Sequence, residues 1–169
     1  VKLPRYAYFE GRIVPYSEAR VGVMTHALNY GTGAFAGLRG YWNSDEEQLF
    51  LFRPIDHFIR MLDSARILCA EVDFTPEMMR DIAVQLLQEE GLREDCYLRP
   101  LHDELTMFAV PFARYVERDE DAHATFSSWR RVDDNAIPAR GKITGAYVNS
   151  ALIKTDAVRA GFDEALVLT

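Results

Sequence analysis

"NAIPARGKITGAYVNSALIKTDAVRAGFDEALVL", residues 135–168, decides the fold reading because its conformational preference switches twice within one short span. It opens on a Pro/Gly turn, Ile137-Pro138-Ala139-Arg140-Gly141, and passes near Gly141–Thr144 into a helical run that continues to Arg159-Ala160. Gly161 supplies the C-cap, and Asp163 to Leu168 leaves as an apolar strand. His123 to Ser128, just upstream, also has strand character, so the span from His123 reads as strand–helix–strand. One lysine, Lys142, sits between the turn and the helix, followed by the small residues Thr144, Gly145 and Ala146. Small neighbours leave room for a planar ligand against the backbone. A lysine placed there becomes a nucleophile once desolvation or a nearby cation removes its proton.

Working outward, the first fifty residues read as strands and turns. Tyr6 to Phe9, a Glu10-Gly11 turn and Arg12 to Val14 make a hairpin, and Val21–Leu28, Ala34–Tyr41 and Gln48–Phe52 read as further extended runs. Helical period then takes over. Ile55, Phe58, Ile59 and Leu62 share one face behind Pro54, and a second helix opens at Thr75-Pro76-Glu77 and stops at Gly91. Asp95–Leu101 and Leu105–Val110 return to strand character. Together these give an α+β chain of two lobes. A small α/β lobe spans residues 1–115, a charged linker spans 116–122 ("VERDEDA"), and 123–169 begins a larger lobe. The final strand has nothing to pair with beyond it, so the sequence reads as part of a longer protein.

Composition narrows the function classes. A hydrophobic content of 49% with 27% charged residues is that of a globular protein. A formal charge of −7 argues against nucleic-acid or anionic-membrane partners. No apolar stretch is long enough to span a bilayer, which points to a cytoplasmic place. The two cysteines, Cys69 and Cys96, have no motif spacing, and Cys69, ending an apolar helical pattern, reads as a small core residue. His26, His57, His102 and His123 are scattered without metal-ligand spacing, so no metal site is assigned. "GTGAFAG" precedes a strand instead of opening a helix, which removes the context of a dinucleotide cradle.

"VMTHALNYGTGAFAGLRGY" (residues 23–41), "FRPIDHFIRMLDSA" (52–65), "CYLRPL" (96–101) and the stretch around Lys142 resemble, in the same order, successive blocks of the branched-chain amino-acid aminotransferases. Those are fold-type IV enzymes that use pyridoxal 5'-phosphate. The resemblance implies that Lys142 is the Schiff-base lysine, that Arg60 grips the cofactor phosphate, and that Tyr147 hydrogen-bonds the cofactor's phenolic oxygen. The five-residue step from Lys142 to Tyr147 does not align both on one regular helical face, so Lys142 belongs in the turn before the helix.

Tyr30, Phe35 and Gly37 correspond to pocket walls, and Arg39 to an arginine near the substrate carboxylate. Tyr97 and Arg99 match the pair that meets substrate carboxylate, Arg99 being suited to the second carboxylate of glutamate. Phe112 and Tyr115 match aromatic residues that line the pocket from the segment between the lobes. The activity implied is transfer of the amino group of leucine, isoleucine or valine to 2-oxoglutarate, in a homo-oligomer, at least a dimer, with shared sites. Ala36 stands where that family usually has glutamate, which leaves open D-amino-acid or (R)-amine transaminases of the same fold. An aminodeoxychorismate lyase and a non-catalytic paralogue are further alternatives. The family also carries a longer loop after the "RPL" block, so residues are expected to be missing between Leu101 and His102.

Overall fold

In the computed structural model, residues 2–102, 104–113 and 121–168 are described. The elements run β1 (Tyr6–Phe9), β2 (Arg12–Pro15), α1 (His26–Tyr30), β3 (Ala34–Phe35), β4 (Leu38–Asn43), β5 (Gln48–Leu51), α2 (Pro54–Ile67), α3 (Pro76–Glu90), β6 (Cys96–His102) and β7 (Thr106–Pro111). There follow β8 (Ala124–Phe126), α4 (Tyr147–Arg159) and β9 (Glu164–Leu166).

Strands β1 to β7 form one antiparallel sheet in the order β2-β1-β7-β6-β4-β5, with β3 also paired to β6. Its central strands alternate strictly. Cys96, Leu98 and Pro100 are buried while Tyr97, Arg99 and Leu101 are half-buried, and Met107 and Ala109 alternate with Phe108 and Val110 in the same way. Period two puts the first set on one face, where α2 and α3 cover it. Phe58, Met61 and Leu62 of α2 and Met79, Ala83, Leu86 and Leu87 of α3 pack there against Leu38, Leu98 and Met107. Each such large side chain, fully buried, contributes roughly 1.5–3 kcal/mol, so this layer holds the sheet rigid. The other face carries Phe35, Tyr97, Arg99 and Phe108.

Most boundaries follow the expected ones, with informative exceptions. Val21–Leu28 is not extended: a turn leads into α1, which ends on Gly31 in the left-handed region (φ 68°). Asn29 closes this corner by donating to the carbonyls of Val23 and Thr25, a local pairing that competes with a ladder. Ala34–Tyr41 is two strands, β3 and β4, although both keep one register against β6. Cys69 is exposed, not a core residue. It sits at φ 55° past the end of α2, where Ala70 N–H donates to Ala65 O and Cys69 N–H to Arg66 O. That is the Schellman arrangement, with cysteine where glycine is usual.

The inter-lobe residues 116–120 and Tyr115 lie outside the described residues. Leu101 and His102 both belong to β6. A separate parallel pair, β8 with β9, packs beside α4.

Candidate active site

The Lys142 backbone is fixed before its side chain is considered. Gly141 N–H donates to Pro138 O and closes the turn, and Lys142 C=O accepts from Phe35 N–H at 3.0 Å. Lys142 N–H donates to Ser64 Oγ at 3.0 Å. Thr144 N–H donates to Gly33 O, while its hydroxyl donates to Gly31 O at 2.7 Å and accepts from Gly33 N–H. Gly145 N–H adds a bond to Gly31 O at 2.8 Å. The "YGTGAF" and "GKITG" segments are therefore clasped backbone to backbone. A Cβ on Gly31 would stand 2.7 Å from Gly145 Cα, so the approach requires glycine there.

Thr144–Ala146 forms one 3-10 turn between Lys142 and the start of α4 at Tyr147. Lys142 thus lies before the helix, as expected, and its Nζ is 2.8 Å from Tyr147 Oη. Tyr147 meets Phe35 edge to face with ring centroids 4.7 Å apart. Lys142 Nζ lies 5.0 Å from the Phe35 centroid and the Arg99 guanidinium 4.7 Å from it. Phe35, Arg99, Leu101, Phe108, Thr144 and Tyr147 line a hollow of about 300 Å³. Hollows of about 620 and 540 Å³ exist elsewhere. Their linings do not include Tyr147 or Arg99, so chemistry and not size marks the candidate site.

Farther along the same face, Arg99 Nε donates to Tyr97 Oη at 3.0 Å. The Tyr97 ring lies over Gly37, where an added Cβ would fall 2.1 Å from Tyr97 Oη, and its centroid is 5.7 Å from that of Phe112. Gly37 is thus the space that the Tyr97–Arg99 pair occupies. Arg39 is committed to its surroundings: Nη2 donates to Ala113 O at 2.9 Å and lies 3.7 Å from Asp95 Oδ2. Its guanidinium stacks between Tyr41 and Phe112. Arg39 braces Phe112 and does not touch Lys142. Tyr30 is 72% exposed at the end of α1, packed edge-on to His26, and is not gathered with the other predicted wall residues. Ala36, aligned with Leu38 across from Pro100, is fully buried in the helix-side core and does not face the site.

Arg60 stands on α2, with Nη2 3.0 Å from His57 Nδ1. Among the described residues it has no carboxylate within ion-pair distance, and the same holds for Lys142 and Arg99. Burial first, then the Arg60 guanidinium, pushes the His57 pKa down, and Lys142 adds to the effect. A neutral His57 can accept from Arg60. The sequence did not single out Ser64 or His57. The only available signal was a polar residue beside the apolar stripe of α2.

Among the described residues Lys142 and Arg99 have no carboxylate partner and both stand at the Phe35 ring, while Arg60 is exposed on α2; cations with an aromatic wall suit a planar ligand that carries anionic groups. That donor set fits pyridoxal phosphate: a lysine amine for an aldehyde, a phenol beside it, and an arginine for a phosphate.

Known proteins agree in sequence and shape. A family model described as class IV amino-transferase matches residues 35–169. A probable branched-chain-amino-acid aminotransferase of Aquifex aeolicus is 41% identical over 178 positions, taking in 96% of this chain and 57% of the relative. A probable enzyme of the same name from Synechocystis is 36% identical, with 96% and 57% covered. The matched span to the Aquifex protein is longer than this chain, so that relative carries residues within the span that this chain lacks.

Among solved structures, the branched-chain aminotransferase of Thermoproteus uzoniensis with norvaline superposes with a TM-score of 0.91 at 35% identity, covering 98% of this chain and 60% of that one. The enzyme of Thermobaculum terrenum in its PLP form gives 0.87 at 29%, covering 98% and 59%. This chain therefore spans about three-fifths of the length of the proteins it matches, and its mixed α/β architecture is that of fold-type IV branched-chain aminotransferases. With most of its length, residues 35–169, inside the family model, the chain belongs to the class IV aminotransferase family.

Proposed function

We propose that the whole protein is a pyridoxal-phosphate-dependent transaminase that moves the amino group of leucine, isoleucine or valine to 2-oxoglutarate. The observation that carries this reading is Lys142 Nζ held 2.8 Å from Tyr147 Oη above Phe35, with Arg99 on the same ring. Bound pyridoxal phosphate would supply an electron sink for the charge left when a substrate C–H bond is broken.

The chain's own residues would do the rest. Lys142 Nζ would hold the cofactor covalently through its aldehyde carbon until an amino-acid substrate displaces it. The freed Nζ would then take the proton from the substrate α-carbon and return it to the carbon on the other side of the transferred nitrogen, acting in turn as base and acid. Tyr147 Oη would hold Nζ and the phenolic oxygen of the ring in register. Arg60 would hold the phosphate, with His57 accepting from its far side. Phe35, Phe112 and Tyr115 would wall an aliphatic side chain and exclude water. Arg99 with Tyr97 would take the second carboxylate of glutamate or 2-oxoglutarate in a bidentate grip. Tyr30, Gly37 and Arg39 complete the assignment, Gly37 by making room for Tyr97 and Arg39 by bracing Phe112.

The same proposal divides the chain into a small lobe over 1–115, a linker over 116–122, and the beginning of a larger lobe over 123–169. The separate β8–β9 sheet with α4 supports that division. A homo-oligomer is also part of it, supported by Val23, Met24, Leu28 and Tyr30 standing exposed on one short segment. No helix among the described residues is long and apolar enough to cross a membrane, and a cytoplasmic place completes the reading.

The test is the visible spectrum of the full-length protein with added pyridoxal phosphate. The bound-cofactor band should bleach with L-leucine, return with 2-oxoglutarate, and be missing in Lys142→Ala. A band that ignores L-leucine but answers to D-alanine or (R)-1-phenylethylamine would move the protein to the transaminases of those substrates. Ala36 does not favour that outcome, because its side chain lies in the core.

A further inference from the structure

We propose that Ser64 is a positioning residue for Lys142, tying the lysine's backbone to α2 and so to Arg60. The inference rests on the reading of Lys142 as the cofactor lysine. Ser64 is 1% exposed, a hydroxyl among the apolar residues with which α2 faces the core. Its hydrogen bonds have only one possible direction. Lys142 N–H can only donate, so Ser64 Oγ accepts from it at 3.0 Å. The Ser64 proton must then go to Arg60 O, which lies 2.9 Å away. A helical serine commonly bonds back to the carbonyl four residues earlier, which fixes its rotamer and aims the remaining lone pairs outward. Here one meets the Lys142 N–H, in the peptide group on the N-terminal side of the lysine.

The consequence is a short chain of bonds from the residue assigned to the phosphate to the residue assigned to the aldehyde. On the opposite side Lys142 C=O is held by Phe35 N–H at 3.0 Å. The peptide groups on both sides of the Lys142 Cα are thus tied, one to α2 and one to β3. A lysine Nζ reaches about 6 Å from its Cα, so a backbone rotation of about 10° moves it about 1 Å. A displacement of that size at a reacting atom costs up to about a hundredfold. Tyr147 steadies Nζ from the far end, but it belongs to α4 and cannot set the distance to α2.

The experiment measures how fast the full-length apoprotein captures pyridoxal phosphate on Lys142. Borohydride fixes the product by adding hydride to the new C=N bond, leaving a stable amine that peptide mass spectrometry locates. Lys154 in α4 serves as internal reference. Ser64→Ala leaves a Lys142 N–H without its partner and should slow capture about tenfold relative to Lys154. The phosphate-free aldehyde pyridoxal should be slowed equally, because the lysine and not the phosphate grip is disturbed. Ser64→Thr, which keeps the hydroxyl, should return to within about twofold of the parent. Unfolding midpoints of both variants are taken first, and capture is compared well below them. Wild-type capture in Ser64→Ala, or a loss that Ser64→Thr does not restore, overturns the positioning role. Failure of the parent protein to be labelled at Lys142 overturns instead the reading on which it rests.

Discussion

Gly37 shows how a residue without a side chain can decide specificity. A Cβ there would lie 2.1 Å from Tyr97 Oη and 2.6 Å from its Cζ, distances no rotamer adjustment of a packed ring absorbs cheaply. Gly37→Ala should therefore push Tyr97 aside and leave Arg99 Nε without its acceptor. If Arg99 takes the second carboxylate, KM for 2-oxoglutarate should rise about tenfold while KM for L-leucine changes little; steady-state kinetics with both substrates varied makes the comparison. An equal rise for both would mean that the pair serves the whole pocket and not the dicarboxylate. Tyr147→Phe probes the opposite end. It removes the hydroxyl at 2.8 Å from Lys142 Nζ but keeps the ring against Phe35. The expected result is a fall in kcat of about tenfold or more with an unchanged unfolding midpoint, read from steady-state rates and thermal melts side by side.

Elements bend to their end chemistry, and Cys69 is the clearest case. Its left-handed conformation costs a non-glycine residue about 1–2 kcal/mol, part of which the greater freedom of an unfolded glycine would cancel. Cys69→Gly should thus stabilise the protein by about 0.5–1 kcal/mol, seen as a higher urea midpoint at unchanged slope. The sequence made α2, α3 and most strands legible because apolar spacing, Thr75, Gly91 and Gly161 are local signals, and local signals survive folding. It misplaced Val21–Leu28 because its branched residues suggested a strand, whereas Asn29 and Gly31 supply the side-chain bonds and left-handed cap of α1. Lys142 stands out between its turn and the helix, Tyr147, Arg99 and Tyr97 are candidates through the family resemblance, and the role it gives Tyr147 together with the five-residue step puts Lys142 before the helix. Ser64 and His57 could not be found that way, because their meaning lies in partners: Ser64 meets Lys142 across 78 positions of chain. The commitment of Arg39 to Asp95 and Ala113 was hidden for the same reason.

At the scale of the whole molecule, the titrating groups of the core and of the α2 face set opposite limbs of a stability profile. On the acid side, His57 has its pKa lowered chiefly by burial, so the unfolded chain takes up a proton that the folded chain resists. Stability should fall as pH drops below the ordinary histidine value near 6.5. On the alkaline side the sign reverses. Burial pushes the Cys96 thiol up to about 11 and also raises Tyr8. Between the ordinary thiol value and about 11 the folded state keeps a proton that the unfolded chain loses, so stability falls as pH rises through that window. For Cys96 the full span is worth at most about 2–3 kcal/mol. Urea midpoints of the full-length protein between pH 5 and 11 should therefore trace a dome. Cys96→Ala should flatten its alkaline limb, and His57→Asn, which keeps an acceptor near Nδ1 but does not titrate, should flatten its acid limb. Native labelling supplies an independent check: at pH 8 a thiol reagent should modify the exposed Cys69 and leave Cys96 untouched until the protein unfolds. Rapid modification of Cys96 in the native state would show that the layer between the sheet and α2–α3 opens far more often than its packing allows.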